Sequence, residues 1–176
     1  PSVFTWSIGN QVTEQHDSSG LRLAQELASI VRLVDPTRPI TAGCDYTKPN
    51  NFIFRSGALD VLGLNYPNEH LAELPNRFPN QKFIVTEMTA ALATRGYYDM
   101  PSNVVRVWPV HDDYHGPKPN TNFTCSAYDN CHTPWGSTHT EAWRLVRNHD
   151  YLSGLFVWSG FDYLGEPTPY NWPPRS

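Results

Sequence analysis

Apolar residues recur along this chain with two periods. Between residues 21 and 34, Leu21, Ala24, Leu27, Ile30, Val31 and Val34 return at helical spacing, with Arg22, Gln25, Glu26, Ser29 and Arg32 between them. The spacing predicts a helix with one buried face, capped by Asp17, Ser18 or Ser19. Asp35-Pro36-Thr37-Arg38-Pro39 ends it, because proline has no amide donor and disfavours helix before it. Elsewhere the apolar residues stand in short unbroken runs. These predict strands over 3–9, 39–43, 60–65, 82–87 and 154–158. Residues 48–59 read as a loop with one helical turn, and 68–78 as a short helix closed by Pro79-Asn80. Thr138-His139-Thr140-Glu141 is a capping box, and Ala142, Leu145 and Val146 give the helix behind it an apolar side.

Strand and helix alternate, and each strand is a continuous apolar run, so the pattern is α/β with a parallel sheet covered by helices. Polar and aromatic residues gather where the runs stop: Asn10 and Gln11, Cys44 and Asp45, Asn65 and Tyr66, Glu87, then Trp158, Ser159, Asp162 and Tyr163. That is the habit of the (β/α)8 TIM barrel, whose sites sit on the C-terminal rim of its strands. Five strands where a barrel has eight predict a fragment lacking about three strands upstream and a helix downstream. An open doubly wound sheet is the alternative, but no glycine-rich phosphate loop follows any strand. The long segment 89–135 is rich in Pro, Asn, Asp, Tyr and His. Its Tyr97, Tyr98, Trp108, Tyr114, Tyr128 and Trp135 predict an ordered, functional rim loop.

Composition narrows the function. Aromatics make up 13 % of the chain, more than a core alone needs, and sugar faces stack on aromatic rings. The net charge is −4 with no basic cluster, which argues against a nucleic-acid partner. No apolar run reaches membrane-spanning length. Cys125 and Cys131 are close in sequence, equally compatible with a disulfide and with two thiols. Asn122-Phe123-Thr124 matches a glycosylation acceptor and carries no function here. His111 and His115 have metal-ligand spacing for a helix, but they lie in a proline-rich loop without a third ligand. No metal and no cofactor are expected.

Glu87 stands at the end of the run Lys-Phe-Ile-Val-Thr-Glu, where a charge is either functional or part of a rim ion pair. A second strand runs into the amides Asn10 and Gln11 in the same way. The stretches Ser-Val-Phe-Thr-Trp-Ser-Ile-Gly-Asn at 2–10, Phe-Ile-Val-Thr-Glu at 83–87 and Phe-Val-Trp-Ser-Gly-Phe-Asp-Tyr-Leu-Gly-Glu-Pro-Thr-Pro-Tyr at 156–170 closely resemble the catalytic barrel of glycoside hydrolase family 2. The last of these, with Ser-Ala-Tyr-Asp-Asn at 126–130 and Pro-Trp-Gly-Ser-Thr-His at 134–139, looks like the β-galactosidase branch of gut and marine Bacteroidetes. The resemblance covers essentially the whole chain and makes it the C-terminal part of the barrel, about strands four to eight.

The resemblance implies a retaining double displacement by two glutamates, with carboxyl groups ~5–5.5 Å apart. Glu87 matches the nucleophile. Asn10 matches the Asn that holds the sugar 2-hydroxyl, and Tyr66 the Tyr that hydrogen-bonds the nucleophile. Trp158 matches the floor of the non-reducing-sugar subsite. Asp162 is a candidate for that sugar's hydroxyls and Trp135 for a loop contact. Gln11 is the departure, since the family pattern has the acid/base Glu there. A carboxamide can neither give nor take the required proton at neutral pH, and loss of that help costs ~10²–10⁴-fold. An engineered inactive enzyme, a natural pseudoenzyme that binds galactosides, and Glu14 as a substitute acid are the three explanations. β-Glucuronidase and β-mannosidase share the scaffold. The resemblance further implies an oligosaccharide substrate with terminal β-galactose, accessory β-sandwich domains in the same polypeptide, and a periplasmic or secreted bacterial protein, with a homo-oligomer left open.

Overall fold

The computed structural model describes residues 2–108, 110, 114–118 and 124–160, which fall into two compact units. The first comprises the chain up to Glu87 and Val146–Phe156; the second comprises Met88–Leu145 and the residues from Val157.

The first unit is a parallel sheet with helices between its strands. In chain order it contains β1 (Trp6–Asn10), α1 (Ser19–Val34), β2 (Ile40–Cys44), α2 (Phe52–Arg55), β3 (Leu62–Asn65), α3 (Leu74–Arg77) and β4 (Phe83–Glu87). The last strand of this sheet is Leu152–Leu155, numbered β7 below because two short strands of the second unit precede it. The sheet order is β1-β2-β3-β4-β7, with every neighbouring pair parallel. Sequential parallel strands joined by helical crossovers are the construction of a (β/α)8 barrel, here present in part. β2 and β3 are buried along their whole length, whereas the edge strands β1 and β7 are not.

The strand boundaries differ from those expected by one or two residues in the middle of the sheet and most at its two edge strands. The first strand begins at Trp6 rather than residue 3, and Val3 and Phe4 precede it, exposed. The last runs over Leu152–Leu155 rather than 154–158, although Phe156 N still donates to Val85 O at 2.8 Å. Trp158 therefore lies beyond the strand, not on its end. The short helix at 68–78 is a 3-10 turn, Leu71–Glu73, followed by the single turn of α3, with Pro75 in its first positions.

The buried face of α1 is only in part the one its periodicity indicated, with Ala24 buried and Leu21 and Val31 half-buried. Gly20, Ala24 and Ala28 are its buried residues, while Leu27, Ile30, Leu33 and Val34 are exposed. Small side chains let this face pack close: a Cβ on Gly20 would come within 2.2 Å of Glu14 O. Beside that face, Gln25 Nε2 and Arg32 Nη2 donate to Ser56 O and Ala58 O, each at 2.9 Å. Ser18, the N-cap of α1, makes no side-chain cap bond, but Asp17 before it accepts from Ser19 N at 2.8 Å, and Asn51 caps α2 through Ile53 N and Phe54 N. The core is continued by edge-on rings, Phe54 with Phe78, Phe78 with Phe83, and Phe83 with Tyr151.

The second unit contains the segment 89–135 expected as an ordered rim loop, and its described residues are folded on themselves. β5 (Arg106–Val107) and β6 (Cys131–His132) pair in parallel, and an isolated bridge joins Ala91 to His132. Leu92, Cys125 and Cys131 form its buried centre with Trp108 against them. The capping box forms as expected at the start of α4 (His139–Arg147): Glu141 N donates to Thr138 Oγ1 at 3.2 Å, and Thr138 N to Glu141 Oε2 at 3.0 Å. Asp129 supplies a second cap, accepting from His139 N and Thr140 N at 2.8 Å each and meeting His139 Nδ1 at 3.0 Å.

Burial alone would raise the Asp129 pKa, but the bonds from His139 and Thr140 outweigh it and hold the carboxyl at about 2. The same contact to Asp129 raises His139. A lowered carboxylate stabilises the fold above its unfolded pKa of ~3.9 and loses that contribution as pH falls towards 2. A raised imidazole contributes fully below ~6.5 and loses it as pH climbs through the folded value. The pair thus contributes most between about pH 4 and 6.5. Asp129→Ala should cost about 1–2 kcal/mol as a lost cap. Thermal unfolding across pH should show its largest deficit in that window, shrinking at both ends.

Candidate active site

β1, β3 and β4 each end on a polar residue, and the backbone there is held across strands. Gln11, the residue after β1, has φ 49°, and its N–H donates to Gly43 O of β2 at 2.8 Å. Tyr66, the residue after β3, has φ 51°, and its N–H donates to Glu87 O of β4 at 2.7 Å. Left-handed backbone is uncommon for residues other than glycine and persists where the surroundings hold it. Here the cross-strand bonds do so, and the turn redirects both side chains at the end of a strand.

The side chains form two sets. Tyr66 Oη donates to Glu87 Oε2 at 3.0 Å, with both residues partly buried. Thr86 Oγ1 donates to Asn65 Oδ1 at 2.5 Å, and Asn65 Nδ2 donates to Asn10 Oδ1 at 2.9 Å. Asn65 is only 1 % exposed, while Asn10 and Gln11 are open to solvent. The second set closes over Gly43. A Cβ there would come within 2.6 Å of Asn10 Oδ1, 2.9 Å of Asn65 Oδ1 and 3.1 Å of Thr86 Oγ1.

Neighbouring acids are otherwise engaged. Asp45 Oδ1 accepts from Gln15 Nε2 at 2.6 Å, and Gln15 Oε1 in turn takes Tyr46 N. Glu14 lies in a 3-10 turn, Thr13–His16, where Thr13 Oγ1 donates to it at 3.3 Å. Burial pushes the Cys44 thiol up to about 11, so it stays protonated and is no nucleophile near neutral pH.

A carboxylate held by a tyrosine hydroxyl at a partly buried strand end can attack an electrophilic carbon. The amide of Gln11 can hydrogen-bond but cannot exchange a proton at neutral pH. Asn10, Gln11, Tyr66 and Glu87 all belong to the first unit. Trp135 and Trp158 belong to the second, 39 % and 54 % exposed. Trp158 precedes a cis peptide to Ser159, and its carbonyl accepts from Thr89 Oγ1 at 3.3 Å. Asp162 lies outside the described residues. The linkage of Asn10 through Asn65 to Thr86 was not foreseen. Its only trace in the sequence is a threonine inside an otherwise apolar run and a glycine next to the end of the neighbouring strand.

No family model matches the chain. It is 46 % identical over 207 aligned positions to the β-galactosidase BoGH2A of Bacteroides ovatus, an alignment covering 100 % of this chain and 24 % of that protein. It is 28 % identical over 188 positions to a putative β-glucuronidase of Formosa agariphila, covering 94 % of this chain and 16 % of that one. The solved β-D-glucuronidase of Dictyoglomus thermophilum superposes with a TM-score of 0.64 at 18 % identity, over 94 % of this chain and 26 % of that one. The chain belongs to glycoside hydrolase family 2. It spans about a quarter of the Bacteroides relative and less of the Formosa one.

The closeness around Gly43 leads to a prediction. Gly43→Ala should force Asn10 and Asn65 apart and destabilise the chain by about 1–3 kcal/mol, the cost of an overpacked site. Thermal unfolding of the variant checks it, and an unchanged midpoint would show that the site has room the contacts deny.

Proposed function

We propose that this chain carries the nucleophile half of a retaining, exo-acting β-galactosidase site that removes terminal β-galactose from oligosaccharides. The observation that carries the reading is the Tyr66–Glu87 bond at a strand end, on the same rim as Asn10-Gln11. The 46 % identical relative, itself called a β-galactosidase, supports the choice of sugar. In this reading Glu87 attacks the anomeric carbon, and Tyr66 steadies its carboxylate. Asn10 holds the 2-hydroxyl. Trp158 floors the sugar subsite in this reading, with Asp162 as a candidate for the sugar's hydroxyls and Trp135 for a further sugar contact. Residue 11 is the acid/base position, and as Gln it leaves the enzyme impaired in protonating the departing oxygen and in activating water. Accessory β-sandwich domains of the same polypeptide fit the small share of the relatives that the chain spans.

The alternatives are a galactoside-binding protein that no longer hydrolyses, and a β-glucuronidase or β-mannosidase of the same family. The relative called a putative β-glucuronidase favours the glucuronidase among these.

The test is hydrolysis by the full-length protein of an aryl β-galactoside with an activated phenolate leaving group, with and without azide. That leaving group needs little acid help, and azide replaces the water a base would activate. Slow turnover, accelerated by azide with formation of β-galactosyl azide, is expected. Gln11→Glu should restore cleavage of unactivated galactosides by ~10²–10⁴-fold. If neither form turns over galactosides, the sugar assignment or the enzyme reading fails, and an aryl β-glucuronide and β-mannoside tried on both forms separate the two.

A further inference from the structure

We infer that Thr86 and Asn65 are positioning residues for Asn10, forming a relay that fixes which end of the Asn10 amide faces a bound sugar. The inference rests on the glycosidase reading and adds to it two residues that act through Asn10. An asparagine amide presents an acceptor and a two-proton donor of nearly equal shape, and turning it over exchanges them. At an exposed strand end nothing intrinsic to Asn10 chooses between the two.

The choice is made further in. The Thr86 hydroxyl gives its one proton to Asn65 Oδ1 at 2.5 Å. That turns Asn65 Nδ2 to the opposite side, where it donates to Asn10 Oδ1 at 2.9 Å. With its oxygen engaged, Asn10 presents Nδ2 as the outward end, a donor suited to a sugar hydroxyl oxygen. Asn65 is 1 % exposed, so water does not compete for its amide. Gly43 provides the space: its missing side chain is where three atoms of the relay, Asn10 Oδ1, Asn65 Oδ1 and Thr86 Oγ1, converge.

The test compares two substrates in the full-length protein: an activated aryl β-galactoside and its 2-deoxy counterpart, which lacks the hydroxyl Asn10 would hold. With such a leaving group kcat/KM reports attack by Glu87, so the amide at position 11 does not obscure it. Thr86→Val, which keeps shape and loses the proton, should lower kcat/KM for the galactoside about tenfold, the worth of one oriented hydrogen bond. It should leave the 2-deoxy substrate within about twofold. Thr86→Ser should recover the parent value. Asn65→Asp, which still accepts from Thr86 but can no longer donate to Asn10, should give the same selective loss and serves if the valine variant does not fold. Equal losses on both substrates would reduce the relay to scaffolding and overturn the inference, as would no loss on either. A parent protein inert to both substrates would instead overturn the galactosidase reading, and the relay's role in galactoside attack with it.

Discussion

The tyrosine hydroxyl at Glu87 is held in place by strand register. β3 and β4 pair so that Asn65 stands opposite Glu87, and Tyr66 N donates to Glu87 O across the same step. The backbone bond brings the two residues together, and the left-handed turn at Tyr66 sets its ring toward the carboxylate. A hydrogen bond to a charged acceptor contributes about 1.5–3 kcal/mol when partly shielded. It is formed where the β3–β4 register shifts, between the Leu64–Val85 and Asn65–Glu87 pairs. A one-residue slip in β4 would carry Glu87 to the other face and put Thr86 or Met88 in its place.

The same constraint operates at β1. Its pairing with β2 lets Gln11 N reach Gly43 O, and the turn that follows leaves Asn10 and Gln11 outward while Asn10 Oδ1 turns in to Asn65. Two polar strand ends therefore share one support, the pair of central strands β2 and β3. Those strands are buried throughout, whereas the outer strands are partly open. The rigidity of the centre fixes the rim, and the chemistry differs from one strand end to the next.

Much of this was legible in the residues. The continuous apolar runs located all five sheet strands, and the polar ends of those runs gave Asn10, Gln11, Tyr66 and Glu87. The capping box at Thr138 and Glu141 formed as the spacing required. Other features were hidden for physical reasons. Periodicity finds the larger apolar side chains of a helix, but α1 packs through Gly20, Ala24 and Ala28, whose value is their small size. The Asn10–Asn65–Thr86 relay joins residues 55 and 21 positions apart in the sequence, and only strand register brings them together. The segment between β4 and α4 shows no period in its sequence because its order comes from scattered backbone bonds around Leu92, Cys125 and Cys131.

Everything proposed for the chemistry depends on Glu87 being the atom donor that bonds to the sugar. The most direct measurement is to expose the full-length protein to 2,4-dinitrophenyl 2-deoxy-2-fluoro-β-galactoside and map the labelled peptide by mass spectrometry. Its leaving group needs no acid, and its fluorine slows release of the covalent sugar. The account predicts one fluorogalactosyl group per chain, on the peptide carrying Glu87 and absent in Glu87→Gln. A stable label on Glu14, Asp45 or another carboxylate, with Glu87 unmodified, would contradict it.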